Sequence, residues 1–129
     1  MHYNNMKNKG FTLIEILVVL AIIATLLSIV TPRYFASIDH ARESTLKYDL
    51  VIMREAIDKF YSDTGRYPDE LYDLVDNKYL RSIPQDPITE STDTWVLLPP
   101  ADSNLPGQIY DIRSGSTGIA ADGSYYEEW

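Results

Sequence analysis

The chain has 129 residues, with 19 acidic against 11 basic side chains, a formal net charge of −8 and no cysteine. That length leaves room for one modest folded domain. The acidity repels phosphate backbones, so nucleic-acid binding is not expected, and without thiols the fold has to rely on packing, partners or a metal in place of disulfides.

At the N-terminus a basic stub, Lys7-Asn8-Lys9-Gly10, precedes an apolar run that continues to Val30 with one carboxylate, Glu15, inside it. About 20 apolar residues span a bilayer as a helix, and Lys7 and Lys9 would hold their end in the cytoplasm by the positive-inside tendency. Glu15 is the informative residue. A charge within a bilayer costs at least ~2.5 kcal/mol and is kept where a partner or a function needs it. A cleaved signal peptide would carry a small-residue cut site beyond its apolar core, and Thr31-Pro32-Arg33 offers none. A plain single-pass anchor leaves Glu15 unexplained. Cutting the chain between Gly10 and Phe11 would create a cationic amine on Phe11, the natural partner for Glu15.

The order Lys9-Gly10-Phe11-Thr12-Leu13-Ile14-Glu15, followed by apolar residues to Val30 and then Pro32, resembles the processing site and membrane helix of type IV prepilins and of the pseudopilins of type II secretion. That resemblance implies cleavage after Gly10 by a prepilin peptidase and methylation of the Phe11 amine. It also implies that Glu15 meets that amine, on its own chain or on a neighbour, during assembly.

Helical periodicity is expected from Phe11 to about Ser62, with Pro32 kinking the helix without ending it. Leu46, Leu50, Met53, Ile57 and Phe60 recur at four- and three-residue steps and mark the buried stripe of an amphipathic segment. Glu43 with Lys47, and Glu55 with Lys59, are acid-first pairs four apart, expected on the solvated side at about 0.2 to 0.5 kcal/mol each. Such a helix would be roughly 75 to 80 Å long at 1.5 Å per residue. Gly65 is placed to cap it, and Pro68 prevents continuation.

Residues 69–80, with Leu71, Leu74 and Val75 at helical spacing, predict a short second helix ended near Ile83-Pro84. Strands are predicted over Thr94–Leu98 and Gln108–Arg113, with a third short one near Tyr125 and Tyr126. The run from Ser114 to Gly118 reads as a loop and not as an anion cradle, since no helix start or lysine follows it. The fold class is α+β, of type IV pilin-like form: a long N-terminal helix packed by a small antiparallel sheet. The divisions are a leader at 1–10, a membrane and filament-core helix at 11–31, the outer half of the helix at 32–65 and a globular part at 66–129.

Further along the chain, Asp63-Thr64-Gly65-Arg66-Tyr67-Pro68, Pro84-Gln85-Asp86-Pro87, Tyr110-Asp111-Ile112, Ala121-Asp122-Gly123 and Trp129 resemble the major pseudopilin of type II secretion in order and spacing. Type IV pilins more often carry a cysteine pair near the C-terminus, which this chain lacks. The resemblance implies a calcium site in the C-terminal loop, for which Asp122, Ser124 and Glu127 are the candidate ligands. They only begin to supply the six to eight oxygens calcium needs. The glycine-rich stretch and second aspartate of the family pattern are replaced here by Ser124-Tyr125-Tyr126-Glu127-Glu128.

No enzyme is expected. His40 is the only histidine beyond the leader and reads as a surface residue, and no zinc, phosphate-loop or dinucleotide pattern is present. The resemblance implies a structural subunit that polymerises into a periplasmic pseudopilus for type II secretion. Its partners would be copies of itself, minor pseudopilins, the prepilin peptidase and an inner-membrane assembly platform. It would be anchored once in the inner membrane with its C-terminal part periplasmic. The alternative is a type IV pilin or minor pilin serving adhesion, motility or DNA uptake.

Overall fold

The computed structural model describes residues 10–129, so Lys7, Lys9 and nearly all of the expected leader lie outside the described residues. Its dominant element is α1, Leu13–Thr64, 52 residues long with Pro32 inside it. The expected span of Phe11 to Ser62 is displaced by two residues at each end. At the C-terminal end, Gly65 adopts φ 76 and donates its N–H to the Tyr61 carbonyl at 2.8 Å. This is the left-handed cap that glycine provides without steric cost.

The chain divides into two compact units, one ending at Ile38 and the other Asp39–Trp129. In the first, the helix exposes its apolar side chains on all sides, and its most apolar 18-residue window has a mean hydropathy of 2.9 with none of its residues buried. Two of its hydroxyls bond back to the helix: Thr25 donates to the Ala21 carbonyl at 2.8 Å and Ser28 to the Thr25 carbonyl at 2.7 Å. Bonding of this kind satisfies polar groups within one segment, as hydrocarbon surroundings require.

The second unit is a folded domain around the outer part of α1. Leu46, Leu50, Met53, Ile57 and Phe60 are all buried, as their spacing predicts, and Ala56 joins them. Leu74, Trp95, Ile109 and Ile112 close over this stripe. Full burial of each large aliphatic side chain is worth roughly 1.5 to 3 kcal/mol. Trp95 satisfies its one donor on the Pro84 carbonyl at 2.8 Å.

The second helix is shorter than predicted: α2 is Tyr72–Asp76, five residues in place of the span 69–80. The reason lies at its end. Lys78 takes φ 66, its N–H bonds the Val75 carbonyl at 3.1 Å, and Tyr79 N–H reaches back to the Leu74 carbonyl at 2.8 Å. This paired closure stops the helix with a lysine where glycine is usual. At the other end the Asp73 carboxylate accepts the N–H groups of Asp69 and Glu70, holding them outside the helix.

Both predicted strands occur in shortened form, β1 at Val96–Leu98 and β2 at Asp111–Arg113. They pair antiparallel with Leu97 opposite Ile112. The predicted third strand does not form. Tyr125 makes only an isolated bridge to Ile119, and Tyr126–Glu128 winds into a 3-10 turn that buries the Tyr126 ring. Gly107, at φ 102, lets the loop before β2 approach closely, since a Cβ there would overlap the Tyr67 carbonyl.

A buried acid organises the loops. Asp86 is fully buried. One carboxylate oxygen accepts the N–H groups of Ile88 at 2.8 Å and Thr89 at 3.3 Å, and the other accepts the Ser114 hydroxyl at 2.5 Å. Ser114 Oγ in turn accepts Ser116 N–H, and Ser116 Oγ accepts Gly118 N–H. The serine-glycine run is therefore a loop stitched by its own side chains.

Candidate functional site

Gly10 and Phe11 precede the helix and are exposed. Thr12 is the residue on which the helix starts. Its carbonyl accepts Ile16 N–H at 3.1 Å, and its hydroxyl oxygen accepts Glu15 N–H at 3.1 Å. Glu15 answers with a carboxylate oxygen 3.4 Å from the Thr12 N–H. The arrangement is a capping box, threonine followed three residues later by glutamate, which satisfies otherwise unpaired amides at a helix start. A negative charge there also meets the positive end of the helix dipole. Glu15 stands out in the sequence by its charge, and the Thr-x-x-Glu pattern ahead of an apolar run is the signal for its local partner.

A second cluster joins α1 to the C-terminal segment. The expected Glu43–Lys47 surface pair does not form, because both side chains are drawn to that segment. Glu43 Oε1 accepts the Ala121 N–H and the Tyr126 hydroxyl, each at 2.8 Å. Lys47 sets its ammonium 4.7 Å from the Trp129 ring centroid. Arg54 donates from Nε to Asp111 at 2.8 Å and from Nη2 to the backbone oxygens of Ile112 and Trp129, both at 2.9 Å. Burial and the neighbouring Glu43 carboxylate push the Tyr126 hydroxyl up to about 12. The Glu55–Lys59 pair is not among the ion pairs of the described residues either.

The three residues expected to hold calcium fall in this region but do not form a cage. Asp122 Oδ1 accepts both the N–H of Ser124 at 2.9 Å and its hydroxyl at 2.5 Å. Those hydrogen bonds, together with nearby Lys47, hold the Asp122 carboxyl below its usual range. Ser124 Oγ also accepts the Trp129 indole N–H at 2.7 Å. Glu127 lines a different cavity, shared with Arg113, while Asp122 lines one with Lys47, Arg54 and Trp129. Among the described residues no group of three or more His, Cys, Asp or Glu side chains is placed to hold a metal ion. As arranged, these residues do not fit calcium, because they supply too few convergent oxygens, Glu127 lines another cavity, Asp122 Oδ1 and Ser124 Oγ already serve the protein's own donors, and a lysine shares the cavity with the aspartate.

Residues 5–31 match the family described as Prokaryotic N-terminal methylation motif. Over 129 aligned residues, covering 88% of this chain and 87% of the relative, the sequence is 30% identical to the type II secretion system core protein G of Klebsiella michiganensis. It is 33% identical to the protein of the same name from Klebsiella pneumoniae over 97 residues, covering 63% of this chain and 69% of the relative. The chain belongs to the type II secretion system core protein G family. A likeness to the type IV major pilin protein PilA of Myxococcus xanthus, 37% identical, covers 50% of this chain and only 30% of PilA. No solved structure gives a significant match. For a core protein G, the α+β architecture and the single long apolar helix are the expected form. The motif match runs across Gly10, Phe11 and Glu15, the same stretch in which the capping box sits.

Proposed function

We infer that this chain is a structural subunit of a secretion pseudopilus: it is held in the inner membrane by the apolar part of α1, processed at Gly10–Phe11 and then polymerised. The observation that carries this reading is the Thr12–Glu15 box at the head of an apolar helix with every flank exposed, directly after Gly10-Phe11. Such a helix needs lipid or sister helices around it. Cleavage by a prepilin peptidase leaves Phe11 with a free amine, which methylation keeps cationic. Glu15 then pairs with that amine, on its own chain or a neighbour, and so favours docking in one register.

Pro32 supports a bend in the helix, because it has no N–H to offer the Ser28 carbonyl. The partners that follow from this reading are further copies of the chain, minor pseudopilins, the peptidase and an inner-membrane assembly platform, with residues beyond the membrane helix in the periplasm. Deleting the chain and comparing secreted proteins with surface fibres tests the function. Loss of secretion with fibres intact supports the pseudopilus, whereas loss of surface fibres with secretion intact selects a pilin. Mass measurement of the native N-terminus tests processing, and a chain that does not begin at a methylated Phe11 refutes it.

A further inference from the structure

The resemblance led to the expectation of a calcium ion in the C-terminal loop, and the geometry of the loop departs from it. At about 100° per residue, Glu43, Lys47 and Arg54 lie within roughly 40° of one another around α1, so they form one polar stripe beside the buried row. Together they hold β2 and the segment that follows it. Glu43 takes the Ala121 amide and the Tyr126 hydroxyl, Lys47 the face of Trp129, and Arg54 the backbone oxygens of Ile112 and Trp129.

The loop is closed without outside help. Ala120 N–H bonds the Ser124 carbonyl at 2.7 Å, Gly123 N–H bonds the Ala120 carbonyl at 3.0 Å, and Tyr126 N–H bonds the Gly118 carbonyl at 3.2 Å. Trp129 ties its indole N–H to Ser124 Oγ and packs edge-on against Tyr126 with ring centroids 5.1 Å apart. Glu43 Oε1, Asp122 Oδ1 and Ser124 Oγ each already serve the protein's own donors. An ion bound through those oxygens would compete with these bonds and meet the Lys47 ammonium, a repulsion that adds to the cost of stripping its water.

We propose that the segment from Ala120 to Trp129 is locked to α1 by protein groups alone, with Glu43, Lys47 and Arg54 in the role that the resemblance gives to calcium. The stability and assembly of this chain are then independent of calcium. A tryptophan within the lock also makes it readable, because terbium seated in a calcium site beside Trp129 would be excited through its indole.

The test uses the full chain purified in detergent micelles. Its unfolding midpoint is measured in excess calcium and in excess chelator, and terbium is titrated under tryptophan excitation. The expected result is one midpoint in both solutions and no terbium luminescence that calcium displaces. A ligand that binds only the native state raises the midpoint as its concentration rises, so a calcium-dependent midpoint or displaceable luminescence overturns the proposal. The second arm is Glu43→Ala, which leaves the Ala121 amide and Tyr126 hydroxyl without their acceptor. It is expected to lower the midpoint by about 4 to 8 °C, equally with calcium and chelator. Should that variant fail to fold, Glu43→Gln, which keeps an acceptor oxygen but loses the charge, is expected to show a smaller fall. A Glu43 variant that melts like the unaltered chain removes the lock. Neither readout depends on secretion, so failure here leaves the pseudopilus reading standing, and failure of that reading leaves this one.

Discussion

Substituting Glu15 separates the cap that the structure shows from the charge pairing proposed for the same carboxylate. Glu15→Gln keeps an acceptor for the Thr12 amide and loses the charge, while Glu15→Ala loses both. The cap itself is a small part of the effect. The Thr12 N–H lies 3.4 Å from the carboxylate, at the long end of hydrogen bonding, and the shorter bond of the box uses the backbone N–H of residue 15, which either substitution leaves in place. Capping of this kind is worth at most about 1 kcal/mol here. Membrane insertion should improve slightly in both variants, because the intramembrane charge costing at least ~2.5 kcal/mol is gone. Docking is where the loss falls. Removing one member of an ion pair buried in an apolar bundle costs about 3 to 5 kcal/mol, which at about 1.4 kcal/mol per tenfold weakens subunit addition by roughly two to three and a half orders of magnitude. The assay is threefold: membrane fractionation for insertion, mass of the N-terminus for cleavage, and sheared-filament yield together with cargo secretion for assembly. Both variants should insert and be cleaved, and both should fail to assemble to the same degree. Wild-type filament yield from Glu15→Gln would refute pairing through charge and leave capping as the whole role of the residue.

Two further outcomes follow from the acids of the outer domain. Asp86→Ala strips the acceptor from the Ser114 hydroxyl and the amides of Ile88 and Thr89, so a loss of about 3 kcal/mol or more is expected in chemical denaturation, with Ser114→Ala costing less. Asp49 has its carboxyl raised above the usual range, first by burial and then by Asp86. The folded state therefore holds the Asp49 proton more tightly than the unfolded chain, and this contribution is present below the unfolded value and lost as pH rises through the folded one. Asp49→Asn should accordingly raise the unfolding midpoint at neutral pH and lose that advantage below the unfolded aspartate range. A variant no more stable than the unaltered chain at neutral pH would show that ionised Asp49 carries no penalty.

What the sequence made legible depended on how local its cause was. The buried row from Leu46 to Phe60 could be read because its spacing repeats on one helix and needs no knowledge of what covers it. Gly65 could be read as a cap for the same reason. The end of α2 could not, because a lysine in the left-handed region carries no composition signal; the bonds from Lys78 and Tyr79 to the preceding carbonyls compensate for its backbone cost. Glu43 and Lys47 were misread by a rule that sees only their own helix. Their partners come from residues 121–129, and a contact between residues 78 positions apart in sequence outweighs a surface pair worth a few tenths of a kcal/mol. Asp86 sits between Gln85 and Pro87 in what reads as an ordinary turn, and only the return of Ser114 to its side shows that the turn is buried.

The same distinction explains why the N-terminal helix points outward for its function. Along the apolar run, the polar groups that a single helix can satisfy are satisfied: Thr25 and Ser28 bond back to carbonyls of their own turn, and Thr12 and Glu15 exchange backbone contacts at the start. Two demands exceed what the helix can meet by itself. A neutral amide at 3.4 Å does not neutralise the charge on Glu15, and Pro32 withholds the donor that the Ser28 carbonyl would otherwise receive. On the proposed reading, a cation at a newly cut amino end would answer the first, and bending or a neighbouring donor the second. Both needs become acute only when the helix leaves a fluid bilayer for a packed bundle, where an unpaired charge has no water or headgroup to turn to. A helix whose remaining needs are few, polar and confined to two places along an otherwise uniform apolar surface can slide against its neighbours until those places are met, which sets register without requiring shape complementarity along its whole length.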